Sequence, residues 1–163
     1  LTGLYSRSYL DDEVGGLLAR SRGETGILMV KPDNFKLIND TFGHEVGDQA
    51  LRILANHMRS LLGENEIAIR YRGNEFVAVI LSSDWERILE RAEELRTTMP
   101  RADLSPVTGE ARVPLTFSVG VAVHPRHAST TSVLSTLANE AVYRGRDEGG
   151  NRVVVADAAR EEA

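Results

Sequence analysis

The stretch RYRGNEFVAVI, residues 70–80, decides the fold class because it predicts two strands joined by a tight turn. Aromatic and β-branched residues, which favour strands, fill most positions after the turn, and an apolar run precedes it from Ile67. The turn, residues 72–75, contains one glycine, as short turns often do. So tight a hairpin joins antiparallel strands, and a purely parallel sheet is therefore excluded.

Strand and helix patterns alternate on both sides of this hairpin. Apolar runs predict strands, in addition to the hairpin at 67–81, at 25–31, 115–123 and 152–156. Apolar residues at helical spacing predict helices at 5–21, 34–40, 46–62, 83–98 and 130–148. The proline and glycine content of residues 100–114 is typical of a loop. Together these elements predict an α+β fold with a central, mostly antiparallel five-stranded sheet flanked by helices.

Length and composition restrict the classes of function. We expect residues 1–163 to form one domain, because the chain is 42% hydrophobic and 26% charged, as globular proteins are. A net charge of −5 argues against a nucleic-acid partner, and the absence of cysteine excludes thiolate metal sites. No apolar run approaches the roughly 20 residues that span a membrane. The chain begins at Leu1. We therefore expect a cytoplasmic domain of a longer protein, whose other parts could include a membrane anchor.

Chemistry is expected at one edge of the sheet. In a fold of this kind, the loop after the first strand, residues 31–34, can lie beside the hairpin turn. Carboxylates at such an edge could bring a metal ion and a phosphate together. The turn, however, holds Arg72 and Asn74 beside a single acid, Glu75. The sequence therefore raises the question of whether this edge is an active site or the remains of one.

Five ordered motifs give the sequence a family resemblance. They are LTGLYSRSYL, DNFKLINDTFGHEVGDQAL, RYRGNEF, TFSVGVAV and NEAVYRGRDEGGNRV. Over essentially the whole chain they resemble the GGDEF domain of diguanylate cyclases, with RGNEF in place of the signature. The resemblance implies a palm-like sheet of the nucleotidyl-cyclase type with a ferredoxin-like core. It also implies a reaction in which two GTP-loaded domains face each other, and each 3′-hydroxyl attacks the other's α-phosphate to give cyclic di-GMP.

The sequence departs from the family pattern at the positions that bind Mg²⁺. Lys31 stands at the position of a metal-binding aspartate, and Pro32 at the position that lends a backbone carbonyl to the metal. Asn74 replaces the acid that holds the metal and helps to activate the hydroxyl, and Arg72 replaces the first signature glycine. Only Glu75 remains as a candidate metal ligand.

These replacements predict that cyclase activity is absent or vestigial. Mg²⁺ prefers anionic oxygen ligands in octahedral geometry, whereas Lys31 and Asn74 together add three positive charges relative to the acids they replace. Asn74 offers a carbonyl oxygen but cannot act as a base. Arg72 also fills space that a glycine would leave open beside the turn, residues Arg72, Gly73, Asn74, Glu75 and Phe76.

Several nucleotide-binding positions match the family. Asn39 and Asp48 match residues that read the guanine edge, although Asp48 could instead cap a helix. Asn34 and Phe35 match residues whose backbone amides hold phosphates, and the Phe35 side chain is expected in the core.

Two positions near the end of the chain correspond to phosphate-binding residues of the family. Arg146 stands where the family has a phosphate-binding lysine. Gly150 replaces a second phosphate-binding arginine, a contact that is lost unless Arg152 reaches in.

Lys31 leaves two interpretations open. Its ammonium could take the place of the metal and, with Arg72 and Arg146, hold GTP without Mg²⁺. Alternatively, it could neutralise Asp33 and Glu75 in a cluster that binds nothing.

Three functions remain after these observations. They are a degenerate regulatory domain that senses GTP or binds a partner, an active cyclase with an altered metal site, and a structural dimerisation domain. The family's inhibitory cyclic di-GMP site is expected to be absent, because its Arg-x-x-Asp window corresponds to GENE, residues 63–66. The expected partners are a neighbouring phosphodiesterase (EAL) domain, a sensor domain or a second copy of the chain.

Overall fold

A six-stranded sheet forms the centre of the computed structural model, which describes residues 4–109 and 113–157. In chain order the strands are β1 (Tyr5–Ser6), β2 (Glu24–Pro32), β3 (Glu66–Arg72), β4 (Glu75–Ser83), β5 (Phe117–His124) and β6 (Val153–Val155). Their order across the sheet is β1-β3-β4-β2-β5-β6. The four inner strands are antiparallel to their inner neighbours, and only the short edge strands β1 and β6 pair in parallel. The mostly antiparallel α+β fold is thus confirmed.

Strand β2 lies at the centre because it is apolar on both faces. Leu28 and Val30 point into one core, whereas Ile27 and Met29 point into a second core on the opposite face. This is why residues 25–30 form a continuous apolar run and do not alternate with polar residues.

Helices cover both faces of the sheet. In chain order they are α1 (Arg7–Tyr9), a π-helical segment (Leu10–Val14), α2 (Gly15–Arg20), α3 (Lys36–Phe42), α4 (His44–Leu61), α5 (Trp85–Thr98), a 3-10 turn (Met99–Arg101), α6 (Ser105–Thr108) and α7 (Thr131–Asp147). The apolar sides of α4 and α5 fill the first core. The segments from α1 to α2, together with α7, fill the second. No helix in the described parts of the chain is both long and apolar enough to cross a membrane.

The structure corrects the prediction at three places. The sheet has six strands rather than five, because Tyr5 and Ser6 pair with β3 and the helix predicted at 5–21 begins only at Arg7. A two-residue strand has no periodicity from which it could be predicted. The helix predicted at 83–98 begins at Trp85, because the Asp84 side chain accepts a hydrogen bond from the Arg87 amide and caps it. The loop predicted at 100–114 contains the 3-10 turn and α6, and its residues 110–112 lie outside the described residues.

Candidate nucleotide site

The end of β2 and the β3–β4 turn meet at one edge of the sheet, as the sequence predicts. Val30 of β2 pairs with Phe76 of β4, so the chain beyond Val30 runs directly beside the turn. On the other side, Lys31 and Pro32 pair with Ser118 and Phe117 at the start of β5. Three chain segments therefore supply side chains to this edge.

Lys31 is buried in an ion pair with Glu75. Its Nζ lies 3.0 Å from Oε2 of Glu75, and 2% of the Lys31 side chain is exposed. The same Nζ lies 4.1 Å from the ring centroid of Tyr143 in α7, a cation–π contact. The ammonium group is therefore neutralised from one side and covered by an aromatic ring. Of the cluster of Lys31, Asp33 and Glu75 suggested by the sequence, the structure shows the pairing of Lys31 with Glu75.

The carboxylate of Asp33 is also engaged within the protein. It accepts hydrogen bonds from Oγ1 of Thr116 at 2.6 Å, Oγ of Ser118 at 2.7 Å and the amide of Asn151 at 2.8 Å. Gly150 lies directly against it, because a Cβ at this glycine would be 2.8 Å from Cγ of Asp33. Asp33 thus ties the end of β2 to β5 and to the turn before β6, and it does not pair with Lys31.

These residues do not fit Mg²⁺. The family resemblance assigns a metal-binding aspartate to position 31, and the chain instead has Lys31, whose ammonium neutralises Glu75, the one acid of the turn. The described residues contain no group of three or more His, Cys, Asp or Glu side chains arranged to hold a metal ion. Asn74 is partly buried and makes no side-chain hydrogen bond to any residue in those ranges.

Arginine and tyrosine side chains dominate the outer side of the turn. The guanidinium carbon of Arg72 lies 5.6 Å from the ring centroid of Tyr71, and that of Arg7 lies 4.3 Å from the same ring. Nε of Arg70 donates to the carbonyl of Gly73 at 3.1 Å. Phe76 is fully buried in the first core and anchors the turn.

The loop from β2 into α3 presents two backbone amides. The side chain of Asn34 fastens this loop to the segment before β5, because its Nδ2 donates to the carbonyl of Pro114 at 2.7 Å. The Phe35 side chain is buried in the first core, as expected. The amides of both residues precede α3 and donate to no other group in the described residues. Their phosphate-binding role stays a prediction.

Arg146 lies close to the same loop. Its Nη2 donates to the carbonyl of Asp33 at 3.3 Å, and its side chain is exposed in a cleft that Tyr143 and Gly150 also line. Arg152 does not extend into this cleft. Its Nε donates to the carbonyl of Gly150 at 3.0 Å, and its Nη1 lies 3.5 Å from Oε1 of Glu148.

Asn39 and Asp48 come from adjacent helices, α3 and α4. Gly47 makes room for Asn39, because a Cβ at Gly47 would lie 1.9 Å from Oδ1 of Asn39. Asp48 is exposed and is the fifth residue of α4, whose N-cap is Gly43. Asp48 therefore does not cap this helix. Neither side chain is hydrogen-bonded within residues 4–109 and 113–157, which leaves both available to a ligand.

The GENE window is paired internally with an arginine that the sequence analysis missed. Glu66 accepts two hydrogen bonds from Arg91 of α5, from Nε at 2.9 Å and from Nη2 at 2.7 Å. Arg91 also donates to the carbonyl of Leu61, and 8% of its surface is exposed. Neither this contact nor that of Tyr143 with Lys31 has a signature in the sequence, because the partners come together only through packing.

Comparison with known proteins places these residues in a family. The family model "Diguanylate cyclase, GGDEF domain" matches residues 1–152. The chain is 32% identical over 157 residues to the response regulator PleD of Caulobacter vibrioides, and 31% identical over 160 residues to the probable diguanylate cyclase DgcT of Escherichia coli. It covers 35% of the length of each of these relatives, while 94% and 96% of the chain is matched.

Solved structures share the fold. The diguanylate cyclase SiaD of Pseudomonas aeruginosa, solved with its activator SiaC, matches 95% of this chain and 60% of its own with a TM-score of 0.84 and 29% identity. The active GGEEF domain of a Vibrio cholerae diguanylate cyclase matches 96% of this chain and 99% of its own, with a TM-score of 0.81 and 26% identity. The chain belongs to the GGDEF domain family.

Proposed function

We propose that this domain is a degenerate GGDEF domain of a cyclic di-GMP signalling protein, which binds GTP without Mg²⁺ and regulates a neighbouring domain or partner without making cyclic di-GMP. The observation that carries the loss of metal chemistry is the buried ion pair between Lys31 and Glu75, with 3.0 Å between Nζ and Oε2. It joins Lys31, where the family resemblance assigns a metal-binding aspartate, to Glu75, the candidate metal ligand that remains on the turn. GTP binding is supported separately by Asn39 and Asp48, whose side chains have no hydrogen-bond partner in the described residues.

Loss of catalysis follows from the chemistry of this pair. Nucleotidyl transfer with metal ions needs cations that stabilise both the attacking and the leaving oxygen. Here the one acid of the turn already has a counter-charge, so it offers a dication little attraction. Asn74 cannot take a proton from an attacking hydroxyl at any ordinary pH. Both the metal and the base are therefore missing from the same place.

The side chains of Asn39 and Asp48 have the hydrogen-bonding groups needed to bind a guanine base. Asn39 offers a donor and an acceptor, and Asp48 offers an acceptor for the two N–H donors of guanine. Neither group is occupied within the described residues. The amides of Asn34 and Phe35 and the exposed guanidinium of Arg146 lie at the same edge of the sheet and could meet phosphate oxygens.

Lys31 is not expected to contact the phosphates directly, because its charge is neutralised by Glu75. Its ammonium is covered by Tyr143 and paired with Glu75. The exposed cations Arg146 and Arg72 are therefore expected to supply the direct phosphate contacts.

We propose that the domain acts on a neighbouring domain of the same protein or on a partner protein. The curated relatives named above are about three times as long as their matched region. We therefore place the domain in a longer cytoplasmic protein, beside a phosphodiesterase (EAL) or sensor domain, or in a homodimer. SiaD has a protein activator, SiaC, which illustrates such a partnership in a relative.

A product assay and a binding assay test the two halves of this proposal. Incubation with GTP and either Mg²⁺ or Mn²⁺, followed by chromatography, is expected to give no cyclic di-GMP. Its formation would establish the alternative of an active cyclase with an altered metal site.

In the binding assay, Asp48→Ala is expected to weaken GTP binding about tenfold, since a charge-assisted hydrogen bond to the base is lost. Asp40→Ala is the matched control, because Asp40 is exposed and its one ion pair within residues 4–109 and 113–157 is with Lys36. No binding of GTP to the unaltered domain would leave the alternative of a structural dimerisation domain.

A further inference from the structure

Three arginines and a tyrosine form a surface at the signature turn. It consists of the exposed Arg7 and Arg72 and the half-buried Arg70 and Tyr71, and we call it the arginine surface. Arg7 and Arg72 flank the Tyr71 ring at 4.3 and 5.6 Å, and Arg70 is held by the carbonyl of Gly73. The side chains come from the start of the first helix and from the end of β3, which the parallel pairing of β1 with β3 brings together. The surface is therefore fixed by the sheet.

None of the three guanidinium groups has a carboxylate partner within the described residues. Glu75 is the acid that lies directly opposite Arg72, because the two residues pair across the β3–β4 turn. Its carboxylate is nevertheless held by Lys31. Asp11 lies one helical turn after Arg7 but forms no ion pair with it. Lys31 is therefore paired with the carboxylate that lies opposite Arg72, and Arg72 is left without this counter-charge.

The character of the surface favours a protein partner. Arginine and tyrosine are the residues that most often supply binding energy at protein interfaces. Arg7 and Arg72 are both exposed. Nucleic acid is disfavoured, because the whole chain carries a net charge of −5 and a long polyanion would meet repulsion beyond this small surface. A short acidic segment would meet only the arginines.

We propose that the arginine surface is a docking site for a carboxylate-rich segment of a protein. Arg72 and Arg7 would each present a planar guanidinium fork to a carboxylate, while both stay within cation–π distance of the Tyr71 ring. The inference extends the proposed regulatory function and shares Arg72 with the proposed phosphate contacts. Peptide binding is therefore tested without GTP, and GTP binding is tested separately through Asp48, which lies outside the arginine surface.

Fluorescence anisotropy with a fluorescein-labelled octaglutamate peptide at low salt, without GTP, tests the proposal. The double variant Arg7→Gln/Arg72→Gln is expected to weaken peptide binding about tenfold, the loss that two exposed charge contacts together can produce. The matched control is Arg20→Gln/Arg52→Gln. It makes the same change in net charge at two exposed arginines that have no ion pair in the described residues, and it is expected to change binding less than about twofold.

A lysine variant separates the effect of charge from that of guanidinium geometry, and a second measurement checks folding. The variant Arg7→Lys/Arg72→Lys keeps the charge but loses the planar fork, and it is expected to bind the peptide more weakly than the unaltered domain. Thermal unfolding of every variant checks that the fold is intact. The proposal is overturned by equal losses in the two glutamine variants, by an absence of peptide binding at low salt, or by tighter binding of a labelled octauridylate than of the peptide.

Discussion

Lys31 and Glu75 make a largely buried ion pair at the candidate site. The burial of each partner determines what the pair contributes to the free energy of unfolding. Lys31 is 2% exposed and Glu75 is 16% exposed, so Lys31 bears most of the desolvation. A buried pair of this kind adds little net stability, but removal of one partner leaves a costly unpaired charge. The pair is thus best tested by comparing single with double substitutions.

We expect Glu75→Gln to lower the free energy of unfolding by about 3 kcal/mol, because the ammonium of Lys31 is left without a counter-charge. The double variant Lys31→Met/Glu75→Gln should recover most of this loss. Urea denaturation measures both. Glu90→Gln is the control, since Glu90 pairs with Arg87 on the exposed face of α5, and it should cost less than about 0.5 kcal/mol. An unchanged stability for Glu75→Gln would show that the pair is not formed in solution.

His127 provides a separate residue-scale prediction. Burial lowers the pKa of His127 below its usual value, and nearby Arg126 lowers it further. Nδ1 also accepts a hydrogen bond from the amide of Val123 at 2.8 Å, which protonation would break. The unfolded chain therefore binds this proton more tightly, and stability should fall as pH drops below about 6.5.

Urea denaturation at several pH values should give a shallower pH dependence for His127→Gln than for the unaltered domain. The slope in this window reaches at most about 1.4 kcal/mol per pH unit for one proton. Equal slopes for the two proteins would contradict the structure at His127.

At the scale of elements, Asp33 connects three parts of the fold. Its carboxylate accepts hydrogen bonds from Thr116, from Ser118 of β5 and from the amide of Asn151 before β6. The position of the β2–α3 loop, and therefore of the amides of Asn34 and Phe35, depends on these contacts.

We expect Asp33→Ala to destabilise the domain by about 3 kcal/mol, because the partly buried hydroxyl of Thr116, the buried hydroxyl of Ser118 and the exposed amide of Asn151 lose a charged acceptor. Asp40→Ala removes an acid from the same stretch, but its pairing with Lys36 is exposed at both ends, so a change below about 0.5 kcal/mol is expected. Chemical denaturation distinguishes them, and similar losses for the two variants would contradict this role of Asp33.

The elements also show how far the sequence could predict the fold. The helices with long apolar stripes and the hairpin at 67–81 were predicted, because period and turn chemistry are local properties. Strand β1 was missed because Tyr5–Ser6 is too short to show a period. The π-helical segment Leu10–Val14 was missed because its apolar residues also fit an α-helix. At the site, opposite charges on Lys31 and Glu75 suggested their pairing, whereas the Tyr143 contact depends on how α7 packs on the sheet.

At the scale of the whole molecule, the sheet separates two apolar cores. The polar side chains of the candidate site lie at one edge of the sheet, where the end of β2 meets the β3–β4 turn. The scaffold on both sides of this edge is that of the family, and the family resemblance assigns acids to positions 31 and 74, where the chain has Lys31 and Asn74. If the scaffold is competent, restoring the acids should restore an affinity for divalent metal ions.

The triple variant Lys31→Asp/Arg72→Gly/Asn74→Asp makes the edge more negative by four charges, two from the first change and one from each of the others. We expect it to bind Mn²⁺ where the unaltered domain does not, because two carboxylates would then join Glu75. Electron paramagnetic resonance of added Mn²⁺ measures the bound fraction. A triple variant that folds but binds no Mn²⁺ would show that charge alone does not explain the loss of the metal site.

The most direct test of the central claim is a calorimetric titration of GTP into the domain, once in EDTA and once in Mg²⁺. Because the Lys31–Glu75 pair leaves no acid of the turn free for a metal ion, and Arg146 and Arg72 are proposed to contact the phosphates, we expect GTP to bind in EDTA and Mg²⁺ to give no increase in affinity. Binding that requires Mg²⁺, or an absence of binding in both conditions, would contradict a metal-independent GTP site.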